Sequence, residues 1–110
     1  MRYGELLRQR RQRAGQTLAD VAAVAGFTMA YISDIERSNR GPLEDNVTIR
    51  IAEALSADAL ELLAAAGQER GHYRIPAGGE SARNDVAVLL ARKWMTLTAE
   101  QVERVRRAVK

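Results

Sequence analysis

At 110 residues and 46% hydrophobic content, the chain has room for one modest core with an appendage and too little for two ordinary globular domains. It contains no cysteine, which excludes a disulfide framework and a thiolate zinc site; a reducing compartment fits, and the cytoplasm is the expected location. The net charge of +3 is unevenly laid out: five arginines against Glu5 over 1–16, three arginines against eight acids over 17–66, and nine bases against five acids over 67–110.

Basic ends flanking an acidic middle suit a polyanion that meets selected surfaces rather than the whole body. No run approaches the roughly 18 apolar residues needed to span a bilayer. The polar opening MRYGELLRQRRQR lacks the apolar stretch of a secretion signal, so no membrane association is expected.

Apolar residues recur at three and four, which predicts helices throughout and an all-α fold. The first helix runs from about Tyr3 to Ala14, with Leu6 and Leu7 inward and Gly15 as its stop. A second starts at Thr17, whose hydroxyl caps it with Asp20 three residues on, and Leu18, Val21, Ala22 and Ala25 form its buried stripe. Gly26 breaks that helix and Thr28 caps the next, leaving a turn of Gly26, Phe27 and Thr28.

The third helix, Met29 to about Ser38, turns Ile32 and Ile35 inward and leaves Met29, Ala30, Ser33, Asp34 and Arg37 on or near its outer faces. A loop over 38–42 leads to a fourth helix from about Asp45 carrying Val47, Ile51, Ala54 and Leu55. A fifth follows, opened by Asp58 and Glu61, faced by Leu60, Leu62 and Leu63, and ended by Gly67. The domain is therefore expected to close at 67, followed by a glycine-rich linker over 68–80.

Residues 81–110 predict two more helices. Val86, Leu89, Leu90 and Trp94 share a face of the sixth, and Thr98 with Gln101 makes a capping box for the seventh, which bears Val102, Val105 and Val109. Isolated helices of this length are marginal in water, so both faces need a partner. A homodimer is the expected one, with packing on the fourth and fifth helices as the alternative.

The functional signal is the spacing Ala22, Gly26, Ile32, Ile35, Glu36. A small residue at 22 lets two short helices cross closely, Gly26 permits the turn, and the two isoleucines fasten the third helix with its opposite face protruding. A protruding helix fits a major groove about 12 Å wide.

From about Gly4 to Gly67, the stretch LLRQRRQRAGQTLADVAAVAGFTMAYISDIERSNRGP followed by IRIAEAL resembles the Cro and lambda-repressor family, the Xre-type regulators, in order, spacing and loop lengths. The resemblance implies a five-helix domain acting on double-stranded operator DNA as a transcriptional regulator, most simply a repressor, with the third helix (about Thr28 to Ser38) in the major groove. By position it implies base reading by Met29, Ala30 and Asp34, a border of Thr28 and Ser33, and an approach to the DNA backbone by Arg37, Asn39 and Arg40. Met29 and Ala30 suit thymine methyls, Asp34 suits a cytosine amino group or a surface ion pair, and Tyr31 and Ser33 suit bases or phosphate. It further implies a structural ion pair of Arg11 with Glu36, leaving Arg8, Arg10 and Arg13 for solvent or phosphate.

Two positions depart from that pattern. Leu18 stands where the family usually has a phosphate-holding glutamine, so backbone N–H groups with Thr17 take over that role. Ser38 stands where a glycine often follows the Glu-Arg pair. No cofactor or metal is expected, and no enzyme: the one histidine, His72, lies in the linker with no nucleophile or acid pair set around it. The competing class is a protein-interaction module on the same fold, an antitoxin or adaptor that takes a protein partner through its C-terminal helices.

Overall fold

The computed structural model describes residues 1–75 and 79–110, and these are all-helical, without strands. Five helices, α1 (Tyr3–Arg13), α2 (Leu18–Ala25), α3 (Met29–Glu36), α4 (Asp45–Ala54) and α5 (Ala59–Arg70), build a first compact unit, Met1–Tyr73. A second unit, Arg74–Lys110, holds α6 (Ser81–Lys93), a 3-10 turn (Trp94–Thr96) and α7 (Ala99–Val109). The expected linker falls partly on residues 76–78, outside the described residues.

Local chemistry sets the helix starts. Thr17 Oγ1 accepts from the Asp20 N–H at 3.1 Å while the Asp20 carboxylate accepts from the Thr17 N–H at 2.9 Å, a complete capping box. The bond from the Thr17 N–H, foremost, holds the Asp20 carboxyl below the usual carboxylate range. Thr98 and Gln101 make the same reciprocal pair at α7. Asp58 caps α5 through the Leu60 N–H alone, because Glu61 turns away to Arg10. The start of α1 is satisfied from a distance: the Tyr3 N–H donates to Glu69 at 3.0 Å, and Arg2 pairs with the same carboxylate at 2.8 Å.

The core of the first unit gathers Tyr3, Leu6 and Leu7 from α1, Val21, Ala22 and Ala25 from α2, Ile32 and Ile35 from α3, Val47, Ile51 and Ala52 from α4, and Leu62, Ala65 and Ala66 from α5, closed by Leu43 and Leu55. Helix α1 packs on α3 and α5, α2 on α3 and α4, and α4 on α5. Two polar groups enter this core as a bonded pair: Tyr3 Oη lies 2.8 Å from Thr48 Oγ1, which also donates to the Leu43 carbonyl at 3.4 Å. Burial raises the Tyr3 phenol above its ordinary range, so it stays neutral and serves as a donor or acceptor inside the core.

Three expected core positions are corrected. Leu60 is 73% exposed, because α5 turns its small residues Ala65, Ala66 and Gly67 inward with Leu62. Ala54 faces solvent and Ala52 takes the buried place beside Ile51. Leu18 is only partly buried at the rim.

Helix α5 also runs past its expected end. Gly67 is not a stop but a site of close approach, where a Cβ would overlap the Tyr73 ring; that ring's hydroxyl donates to the Ala64 carbonyl at 2.8 Å. The helix ends at Gly71, which adopts the left-handed conformation at φ 80°.

Helix α3 ends two residues sooner than expected, at Glu36, and its terminus explains Ser38. The Asn39 N–H reaches the Asp34 carbonyl at 2.8 Å and the Ser38 N–H the Ile35 carbonyl at 3.0 Å, which requires Ser38 at φ 61°. A left-handed non-glycine residue costs about 1–2 kcal/mol, and glycine would return about 0.4–1 of that through unfolded-state entropy. Ser38→Gly is therefore expected to raise stability by about 0.5–1 kcal/mol in urea unfolding; an unchanged or lower midpoint would contradict the strain.

In the second unit, α6 and α7 bury no residue. Val86, Leu89, Val102 and Val109 are exposed, while Leu90 and Val105 are half-buried. Trp94, expected on α6, instead opens the 3-10 turn and is 58% exposed.

Candidate nucleic-acid interface

Helices α2 and α3 are joined by Gly26, Phe27 and Thr28 and meet at 105°. Gly26 makes that angle possible: at φ 76° its N–H, with that of Phe27, closes on the Ala22 carbonyl and ends α2 in a single residue. Thr28 then restarts the chain, its Oγ1 accepting from the Tyr31 N–H at 3.1 Å. Ile32 and Ile35 are fully buried, which fixes the rotation of α3 and turns Met29 and Ala30 to solvent at its start and Arg37 at its end.

Two contacts hold α3 from behind. Gly4 of α1 lies against the end of α3 so closely that a Cβ would overlap the Ile35 carbonyl oxygen. Arg11 of α1 grips Glu36 in a fork, Nε to Oε2 at 2.7 Å and Nη2 to Oε1 at 3.0 Å, while its Nη1 donates to the Gln16 carbonyl at 3.0 Å. Glu36 is buried, and its hydrogen bond holds the Arg11 guanidinium above even the usual arginine range. Charge is thus used to fasten the helix, while the outer face keeps its own.

That outer face is not a row of free groups. Asp34 accepts from Arg37 Nη2 at 2.7 Å and lies 3.7 Å from Arg40 Nε. The Arg40 guanidinium stands 4.6 Å from the centre of the Tyr31 ring, and that ring stacks on Phe27 with centroids 4.4 Å apart and planes 9° from parallel. A ring cannot take both on one face, so Tyr31 lies between Phe27 and Arg40. Ser33 is half-buried, and Asn39 is exposed on the loop beyond.

Thr17 and Thr28 both spend an oxygen lone pair on a capping bond, which leaves each hydroxyl proton to donate outward. The Thr17 N–H is committed to Asp20, so only the N–H groups of Leu18 and Ala19 stay open in the first turn of α2, beside a carboxylate held in its charged form. Arg10, expected to be free, forks onto Glu61 at 2.8–3.1 Å.

Sequence reasoning placed Tyr31 at this face but missed its stacking on Phe27 and the part played by Arg70. Phe27 and Tyr31 sit four apart across a cap, a spacing that permits stacking. Nothing local marked Arg70, which reaches from the end of α5 to Asp45 at 3.0 Å and to the carbonyls of Pro42 and Leu43, steadying the segment that follows the Arg40 loop.

Residues 2–66 match the family model described as a helix-turn-helix domain. No curated protein matches the chain. Among solved structures, the clp gene regulator ClgR from Corynebacterium glutamicum is similar, with 24% sequence identity and a TM-score of 0.51 over 84% of this chain and 88% of that chain. At that identity the likeness is one of fold.

Proposed function

The chain belongs to the helix-turn-helix domain family, and from that membership we propose that it is a sequence-specific, double-stranded-DNA-binding transcriptional regulator of the Xre type, acting most simply as a repressor. The observation that carries this is the 105° meeting of α2 and α3, with α3 fastened by Ile32, Ile35 and the Arg11–Glu36 fork and its opposite side open. An ordinary helical hairpin has no use for so tight a turn and so exposed a second helix.

In this reading α3 enters the major groove. Met29 and Ala30 meet thymine methyls, Ser33 and Tyr31 border the base edges, and Arg37, Asn39 and Arg40 meet the sugar-phosphate backbone with the hydroxyls of Thr17 and Thr28. The work belongs where the chromosome is, in keeping with the cytoplasmic expectation, and needs no cofactor. The ClgR likeness supports the fold on which such a site is built, and the role of ClgR as a gene regulator agrees with the proposal.

The second unit is read as the means of dimerisation. Its two helices and the 3-10 turn between them expose Val86, Leu89, Trp94, Val102 and Val109 and bury nothing of their own, so a partner face is what stabilises them. Two copies would set two α3 helices one DNA turn, about 34 Å, apart and ask for a near-palindromic site.

Titrating the chain against duplex from its own upstream region, with the mass of free and bound species followed by light scattering, tests both parts. Binding by a species of dimer mass, weakening linearly in log salt, is expected. Leu89→Asp is expected to give a monomer with at least tenfold weaker binding, one tenfold step being about 1.4 kcal/mol. If the native chain binds no duplex, the exposed C-terminal faces point instead to an antitoxin or adaptor that takes a protein partner there.

A further inference from the structure

On the outer face of α3, two cations converge on one carboxylate. Arg37 is 2.7 Å and Arg40 3.7 Å from Asp34, and Arg40 is also held 4.6 Å from the centre of the Tyr31 ring, itself stacked on Phe27. The arginine side chains are 59% and 53% exposed and Asp34 35% exposed, so these contacts define a resting geometry that an incoming anion can exchange.

We propose that Asp34 is a specificity-determining residue that holds Arg37 and Arg40 off the phosphates of unmatched duplex. The inference rests on the DNA-binding reading above and adds to it a device by which poor sites are refused. On an unmatched duplex, each arginine that turns to a phosphate leaves Asp34, and the stranded carboxylate then faces a polyanion. A matched site offers, at the same depth in the major groove, a base with an exocyclic amino group, cytosine foremost, that donates to the carboxylate. Asp34 keeps a partner there while both arginines move to phosphate, so the carboxylate weakens unmatched binding more than matched binding. The Phe27–Tyr31 stack keeps Arg40 close to the groove in both states.

The test measures native chain, Asp34→Asn and Asp34→Ser by fluorescence anisotropy on a random-sequence duplex and on a duplex enriched from a random pool, at several salt concentrations, with circular dichroism to verify folding. Both variants are expected to bind the random duplex about three- to tenfold tighter, with a log-log salt slope steeper by about 0.9 for each arginine released to phosphate. The ratio of enriched to random affinity should fall, and the gain should vanish when Arg37→Gln and Arg40→Gln are added. Unchanged or weaker random-duplex binding by the Asp34 variants, while the native chain binds, overturns the inference alone. A gain that survives loss of both arginines also overturns it, since it would then reflect net charge. Should neither the native chain nor any variant bind any duplex, the DNA-binding reading fails and the inference with it.

Discussion

Arg11→Ala is expected to destabilise the first unit by about 3–5 kcal/mol, because it strands the buried Glu36 carboxylate inside the domain. The carboxylate has both oxygens in the Arg11 fork, with no water-facing side onto which it could turn. The same substitution removes the donor to the Gln16 carbonyl and so loosens the link between α1 and α2. Urea unfolding at neutral pH reads the loss as a drop in midpoint at unchanged slope. Arg11→Leu with Glu36→Leu is expected to recover much of it, since replacing both members of a buried pair by apolar groups is often nearly neutral. A single-variant cost under about 1 kcal/mol would mean that the pair behaves as a surface salt bridge.

Gly4→Ala is expected to rank with it, at about 3 kcal/mol or more, the upper end of what overpacking costs. The obstacle is the Ile35 carbonyl oxygen, with the Glu36 backbone behind it, and neither can rotate aside as a side chain would. Helix α1 must lift off the end of α3, and that same helix carries Tyr3, Leu6 and Leu7 into the core. The folded fraction should in addition present α3 at an altered angle. Gly67→Ala is the control: there the obstacle is the far edge of the Tyr73 ring, an exposed side chain that can swing away, so its cost should be markedly smaller. Thermal unfolding of the two variants side by side checks the order, and equal losses would contradict it.

How much of this was legible in the sequence follows from how far apart the interacting residues lie. The tight turn at Gly26, the capping boxes at Thr17 and Thr98, and the inward places of Ile32 and Ile35 depend on neighbours within four positions, and local pattern suffices for them. The Tyr3–Thr48 bond spans 45 positions and the reach of Arg70 to Asp45 spans 25, so no window of sequence shows either.

Helix α5 misled for a different reason. Its apolar residues surround the helix, and only close packing on α1 and α4 selects Ala65 and Ala66 over Leu60. Gly67 looked like a stop because glycine usually is one; here its missing side chain makes room for Tyr73, and Gly71 takes the terminal role. At the candidate interface, residue types and positions were readable from the resemblance. The surface ion pair open to Asp34 is met locally by Arg37, three residues on, but the approach of Arg40 was not readable, because it depends on the loop after α3 folding back through Ser38.

The central claim, that the open side of α3 reads DNA, is tested most directly by Ala30→Glu together with Arg37→Ala on a duplex enriched from a random pool. Ala30 is exposed in the first turn of α3, where a glutamate suits the helix dipole, so folding should be unaffected. Ala30→Glu is predicted to weaken the enriched duplex by at least about a hundredfold, roughly 2.7 kcal/mol. Arg37→Ala should weaken the enriched duplex more than the random one, on which Asp34 holds Arg37 off the phosphates, and should lower the salt slope on the enriched duplex by about 1. Full affinity in a folded Ala30→Glu chain would contradict the account, because a helix seated in the groove cannot accept a carboxylate at that position without loss.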